Sequence, residues 1–89
     1  MASYRGVHEN RAVTDPSNPL KILGRHVRKL RRERDLSQED LAGAAEISRS
    51  NVSDLERGMK EPRFLTLFSV AKALDVPPSR LLEPFDPKS

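Results

Sequence analysis

The 89-residue sequence contains no cysteine and no tryptophan, and only one tyrosine and three phenylalanines. Without cysteine there is no disulfide framework and no thiolate metal site. The two histidines, His8 and His26, lie too far apart to suggest a metal site, so neither a metal nor a cofactor is expected. There is no glycine-rich phosphate loop and no Ser–His–Asp spacing, so the chain is not expected to be an enzyme. No apolar run approaches the roughly 18 residues that a membrane span needs. The N-terminal stretch MASYRGVHENRAVTDPSNP lacks the apolar centre of a secretory signal, and a cytoplasmic location is expected. β-Branched residues are few and never alternate over a usable length, which removes strands from consideration. A chain this short makes one domain with a compact core.

What is present is charge, unevenly placed. The net charge is only +3. Residues 20–34, however, carry seven Lys or Arg against one Glu, a net of +6, while residues 35–61 carry three basic and seven acidic residues, a net of −4. Such asymmetry points to one electropositive surface and raises the odds of a polyanionic partner, with a solvated helix face the equal alternative from charge alone.

The pattern along the chain predicts five short helices. Residues 1–18 are polar and aperiodic and read as a flexible arm. The domain proper is expected over 19–83, with 84–89 a proline-containing tail. A helix from about Leu20 to Arg34 places Leu23, Val27 and Leu30 on one face. A second starts at Ser37-Gln38-Glu39-Asp40, with Ser37 as cap and Asp40 completing a capping box. A third is capped by Ser48 and ended by Gly58, which suits a left-handed position. A fourth carries Phe64, Leu67, Val70, Ala71 and Leu74 inward, and a short fifth begins at Pro78. The expected core is Leu23, Val27, Leu30, Leu36, Leu41, Ala42, Ala45, Ile47, Val52, Leu55, Phe64, Leu67, Val70, Ala71, Leu74, Leu81 and Leu82. This is an all-α domain with little left over for a deep pocket.

The third helix, SRSNVSDLERG, divides sharply. Val52 and Leu55 form a thin apolar stripe, and Arg49, Ser50, Ser53 and Asp54 lie outside it. Only about three residues separate it from the second helix, which demands a tight turn. Two helices so joined match the helix-turn-helix arrangement, whose second helix lies in the DNA major groove. Its polar face then needs short hydrogen-bonding groups for base edges. Arg49 is the leading candidate, because a guanidinium donates two hydrogen bonds to guanine O6 and N7. Asn51 is a candidate for base edge, phosphate or cap. Gln38 begins the second helix, where free N–H groups favour a phosphate. Arg57, Lys60 and Arg63 surround the following loop and are candidates for phosphate contacts. Ser48 reads first as a cap and second as a phosphate contact. The basic face of Arg25, Arg28, Lys29, Arg32 and Arg34 reads as a solvated face adding a long-range field.

The run LRRERDLSQEDLAGAAEISRSNVSDLERGMKEP, followed by LFSVAKALDV, resembles the lambda-repressor and Cro-like (XRE) helix-turn-helix family of bacterial and phage regulators. Gln38 matches the opening Gln, Ala42 the small residue four positions on, and Leu41, Ala45, Ile47, Val52 and Leu55 the apolar positions. Glu56-Arg57-Gly58 matches the E-x-G that follows. The resemblance covers residues 20–82 and implies a lambda-repressor-like fold and double-stranded DNA binding, usually as a homodimer on a palindromic operator. It adds Ser50, Ser53 and Asp54 as base-contact positions and makes Arg31 and Glu56 a partly buried salt bridge. It includes small controllers of restriction–modification systems. Three positions depart from the pattern: Glu46 stands where Gly is usual in the turn, Gly43 lies inside the second helix, and Pro77 replaces the common Ser or Thr cap.

Leu65, Phe68, Leu81, Leu82 and Phe85 exceed what a small core needs, so a self-association face is expected among them. A C2 homodimer supplies the two half-sites that so small a domain requires. Regulation of its own promoter fits stand-alone members of the family. The rival expectation is an antitoxin or adaptor that mainly holds an unknown partner protein, favoured by Asp54 and the acidic 35–61 segment.

Overall fold

In the computed structural model, residues 18–87 are described. They form α1 (Pro19–Glu33), α2 (Gln38–Ala45), α3 (Arg49–Arg57), α4 (Phe64–Ala73) and α5 (Pro78–Leu81), followed by one 3-10 turn (Glu83–Phe85). No strand occurs among the described residues. The expected arm lies outside them except for Asn18, whose side chain caps α1 by accepting from the Leu20 N–H at 2.9 Å. Pro19 follows at the first helical position, where its missing N–H is no loss.

Each of the four longer helices ends in the same way. A left-handed residue follows the last turn: Asp35 (φ 56°), Glu46 (φ 61°), Gly58 (φ 68°) and Asp75 (φ 61°). The next N–H then reaches back to the carbonyl five residues earlier: Leu36 to Arg31, Ile47 to Ala42, Met59 to Asp54 and Val76 to Ala71. This is the Schellman stop, which satisfies carbonyls a helix end would leave orphaned. Leu36, Ile47 and Val76 then pack partly buried against the core. Glu46 therefore adopts the left-handed conformation of the expected glycine, at a strain of about 1 kcal/mol.

α3 packs on α1 and α2, α4 packs on α2 and α5, and α5 with its following turn returns to α1. There the His26 Nε2 lies 2.8 Å from the Arg80 carbonyl. The core is Leu23, Val27, Leu30, Leu41, Ala42, Ala45, Val52, Leu55, Val70, Ala71, Leu74 and Leu81. Of the expected core residues, Leu36, Ile47 and Leu67 are only partly buried against it, and Phe64 and Leu82 are exposed. Phe64 is 72% exposed: it opens α4 at the edge of the Leu67–Val70–Ala71–Leu74 stripe, and its ring lies beside Phe68 instead, with centroids 6.5 Å apart. Leu82 is 51% exposed, because the inward position at the end of α5 belongs to Leu81, which is 1% exposed. Leu81 is therefore core and offers no association surface.

Candidate nucleic-acid interface

α3 is held from behind by a polar clamp. The Arg31 Nε donates to Glu56 Oε2 at 2.6 Å and its Nη2 to Glu56 Oε1 at 2.9 Å. Its remaining nitrogen, Nη1, donates to the Leu36 carbonyl at 2.8 Å. The Gln38 Nε2 donates to Glu56 Oε1 at 3.1 Å. One carboxylate on α3 thus ties α1 and the head of α2 to the same point. Arg31 and Glu56 are 7% and 6% exposed, and a two-point pair of this kind is geometrically specific as well as strong. The hydrogen bond to Glu56 raises the Arg31 pKa above its ordinary value, against the opposing pull of burial.

Backbone proximity adds to the clamp. A Cβ placed on Gly24 would stand 2.4 Å from the Glu56 carbonyl oxygen and 2.5 Å from that of Leu55. Only glycine lets α1 approach α3 so closely. The Lys21 Nζ donates to the Arg57 carbonyl at 3.0 Å, closing the last turn of α3. The sequence reading missed Asn18, Lys21 and Gly24. Asn18-Pro19 carries a recognisable cap-and-proline signature, whereas nothing in the sequence marks a helical glycine as a point of contact.

The opposite face of α3 is open. Ser48, Arg49, Ser50 and Asn51 are exposed, and Ser53 and Asp54 are half-buried. The Ser48 Oγ accepts from the Asn51 N–H at 3.1 Å, so its cap role is occupied. Arg49 shares one surface depression with Arg31, Ser37, Gln38 and Glu39 at the head of α2. Ser37 and Asp40 form the capping box in both directions, each bond 2.9 Å. The Ser37 backbone N–H, and then its hydroxyl, hold the Asp40 carboxyl below its ordinary value of 3.8.

At the far end of α3, a cleft of about 320 Å³ brings together Asn51, Asp54, Leu55, Lys60, Glu61, Pro62, Arg63 and Thr66. Asp54 is engaged there: its Oδ1 lies 3.4 Å from Arg57 Nη2 and its Oδ2 3.4 Å from Lys60 Nζ. Its carboxylate thus sits between two of the cations expected to meet phosphate. Arg34, which the sequence groups with the solvated basic face, is only partly exposed. It donates through Nε to the Leu74 carbonyl at 2.6 Å and through Nη1 to the Leu30 carbonyl at 3.0 Å, joining α1 to the end of α4. Of the expected association residues, Leu65, Phe68, Leu82 and Phe85 are exposed, together with Phe64.

The sequence profile of the helix-turn-helix family HTH_3 matches residues 27–81, most of the described fold. The chain belongs to this XRE-type helix-turn-helix family. It is similar to the HTH-type transcriptional regulator y4dJ of Sinorhizobium fredii, 38% identical over 66 residues that cover 74% of this chain and 86% of the relative. It is 35% identical over 69 residues to the control protein C.BamHI of Bacillus amyloliquefaciens, covering 75% of this chain and 85% of that protein. The crystal structure of the restriction-modification controller protein C.AhdI from Aeromonas hydrophila superimposes with a TM-score of 0.69 at 37% identity, over 70% of this chain and 94% of that one. As a helix-turn-helix protein of this family, the chain is a transcriptional regulator with a DNA-binding domain. In helix-turn-helix terms α2 and α3 are the pair, and Glu46 is the turn. No helix among the described residues is long and apolar enough to cross a membrane.

Proposed function

We propose that the protein is a sequence-specific reader of double-stranded DNA, acting as a homodimer on a two-fold symmetric operator. The observation that carries this reading is the contrast across α3: a clamped inner face and an exposed, polar, arginine-led outer face. Arg49, Ser50, Asn51 and Ser53 are the base-edge contacts, with Arg49 suited to guanine. Gln38, Ser48, Arg57, Lys60 and Arg63 serve the phosphates, Gln38 through its place at the head of α2. Asp54 holds Lys60 and Arg57 in the free protein, and a base contact by Asp54 requires it to release one of them.

Phe64, Leu65 and Phe68 on α4, with Leu82 and Phe85 after α5, supply the apolar face for self-association. Pairing there would set the two recognition helices about 34 Å apart, one turn of DNA. The similarity to named controller proteins supports a small autoregulatory device of that kind. A partner-protein role would use the same apolar face. Selection of bound duplexes from a random pool at about 150 mM salt tests the reading. An enriched two-fold site supports it. Recovery of unenriched DNA, with a monomer in sedimentation, sinks it in favour of a protein partner.

A further inference from the structure

The cations of this chain differ in what holds them. Arg31 is bound by Glu56, Arg34 by two carbonyls, Lys21 by the Arg57 carbonyl, Arg57 and Lys60 by Asp54, and Arg80 faces Glu83. Among the described residues, Arg28, Lys29, Arg32, Arg49, Arg63 and Lys72 have no such partner. Arg49 and Arg63 belong to the recognition side. Arg28, Lys29 and Arg32 form a second group, all exposed on α1, which Arg25 extends by one turn. Among the described residues the one acid lining the depression between them is Glu33, which lies 3.8 Å from Arg34.

This stripe looks away from the recognition helix. α1 turns Leu23, Gly24, Val27, Leu30 and Arg31 inward. At about 3.6 residues per turn, positions 25, 28, 29 and 32 emerge on the opposite side. α3 packs against the inner side, and its own outer residues lie beyond it. Two helices packed with axes about 8–10 Å apart put the stripe and the outer face of α3 roughly 20 Å from each other. A duplex lying on α3 leaves the stripe uncovered.

We propose that the Arg28–Lys29–Arg32 stripe of α1 binds the phosphates of a second double-stranded DNA segment, so that the protein bridges two duplexes. The composition of the stripe favours nucleic acid over a protein. Protein interfaces depend on buried aromatic or aliphatic anchors, and among the described residues every exposed large hydrophobic lies elsewhere: Met59, Phe64, Leu65, Phe68, Leu82 and Phe85. The same absence removes the apolar half that membrane-surface binding requires. What remains is a row of fixed cations, mostly guanidinium, which suits a phosphate backbone and carries no sequence preference. The bridging role rests on the reading of α3 as the operator-facing helix.

The test immobilises a short duplex bearing the selected operator, saturates it with the full chain, and offers a labelled duplex of unrelated sequence at about 50 mM salt. The wild type captures the second duplex. The variant carrying Arg28→Gln, Lys29→Gln and Arg32→Gln occupies the first duplex within about twofold of wild type and loses at least tenfold of the capture, as expected for removing three phosphate contacts. All three residues are exposed, and an unchanged melting temperature confirms that the variant is folded. In parallel, unrelated duplex is titrated into Arg49→Ala protein, and the amide shifts should include residues 28–32 beside those of the phosphate contacts that remain around α3. Absence of capture by the wild type, undiminished capture by the triple variant, or displacement of the second duplex by polyglutamate as readily as by DNA overturns the proposal. Failure of the first duplex to retain protein, with shifts still at 28–32, overturns the operator reading and leaves the stripe as a DNA-binding face.

Discussion

Glu56 and Asp54 are two acids on one helix, two positions apart, and the fold uses them in opposite ways. Glu56 faces inward, is almost wholly buried, and accepts three hydrogen bonds, two from Arg31 and one from Gln38. Asp54 faces the rim and holds two exposed cations at 3.4 Å each. The first carboxylate sets where the recognition helix stands. The second adjusts which cations are free at its edge. A helix-turn-helix this small separates framework from contact surface within a single turn of α3.

The largest expected effect comes from breaking the inner half of this pair. Glu56→Ala strands the Arg31 charge in the interior and should remove about 3–5 kcal/mol of stability, read from urea unfolding. Replacing both partners, Arg31→Met with Glu56→Leu, should recover most of it, because burying two apolar groups avoids the uncompensated charge. A double variant as unstable as the single would mean that the pair contributes through geometry alone.

Gly24→Ala comes next. Its Cβ would meet two backbone carbonyls, which cannot rotate away, so α1 and α3 must separate. A loss of about 1–3 kcal/mol in unfolding free energy is expected, as for overpacking elsewhere. Gly43→Ala is the control: nothing lies within 4 Å of that Cβ, and the helix should gain stability.

The outer half is tested on DNA. Arg49→Ala should cost about 1–3 kcal/mol at one base pair of each half-site, whereas Lys60→Ala should weaken all sequences alike and flatten the salt dependence. Equal loss of specificity from both would defeat that division. Asp54→Asn should change stability by no more than about 1 kcal/mol, because its ion pairs are exposed. A shift in preferred base would make Asp54 a reader; a uniform rise in affinity would make it only a holder of cations.

The smallest effect is the pH dependence of the α2 cap. Asp40 has its folded pKa lowered, so its stabilisation is present above the unfolded value of 3.8 and disappears as pH falls through the folded value. Asp40→Asn should therefore flatten the stability curve only on the acid side of about pH 4. Flattening near neutrality would point to another group.

Much of this arrangement was legible in the chain. Periodicity marks α1, and the Ser37 and Ser48 caps mark the starts of α2 and α3, because these signals are local. The stops were only partly visible: Gly58 announces itself, while Asp35, Glu46 and Asp75 take the same left-handed conformation without a glycine. Apolar spacing places Phe64 and Leu82 in the core, and Leu81 on the surface as well as in the core, because it does not say which end of a short stripe reaches a neighbour. Gly24, Lys21 and the Arg34 link to α4 depend on residues far away in sequence, and no local pattern encodes them.

The stretch Arg49-Ser50-Asn51 is exposed and contributes no side chain to the core or to the clamp. Beyond its helical backbone, it offers the fold the Asn51 N–H to Ser48 and an exposed hydroxyl pair between Ser50 and Ser48 at 3.3 Å. These three positions are consequently interchangeable text on a fixed page. A library varied at residues 49–51 should remain folded throughout, so its members can be ranked on target preference alone, and new specificities can be sought without first repairing stability.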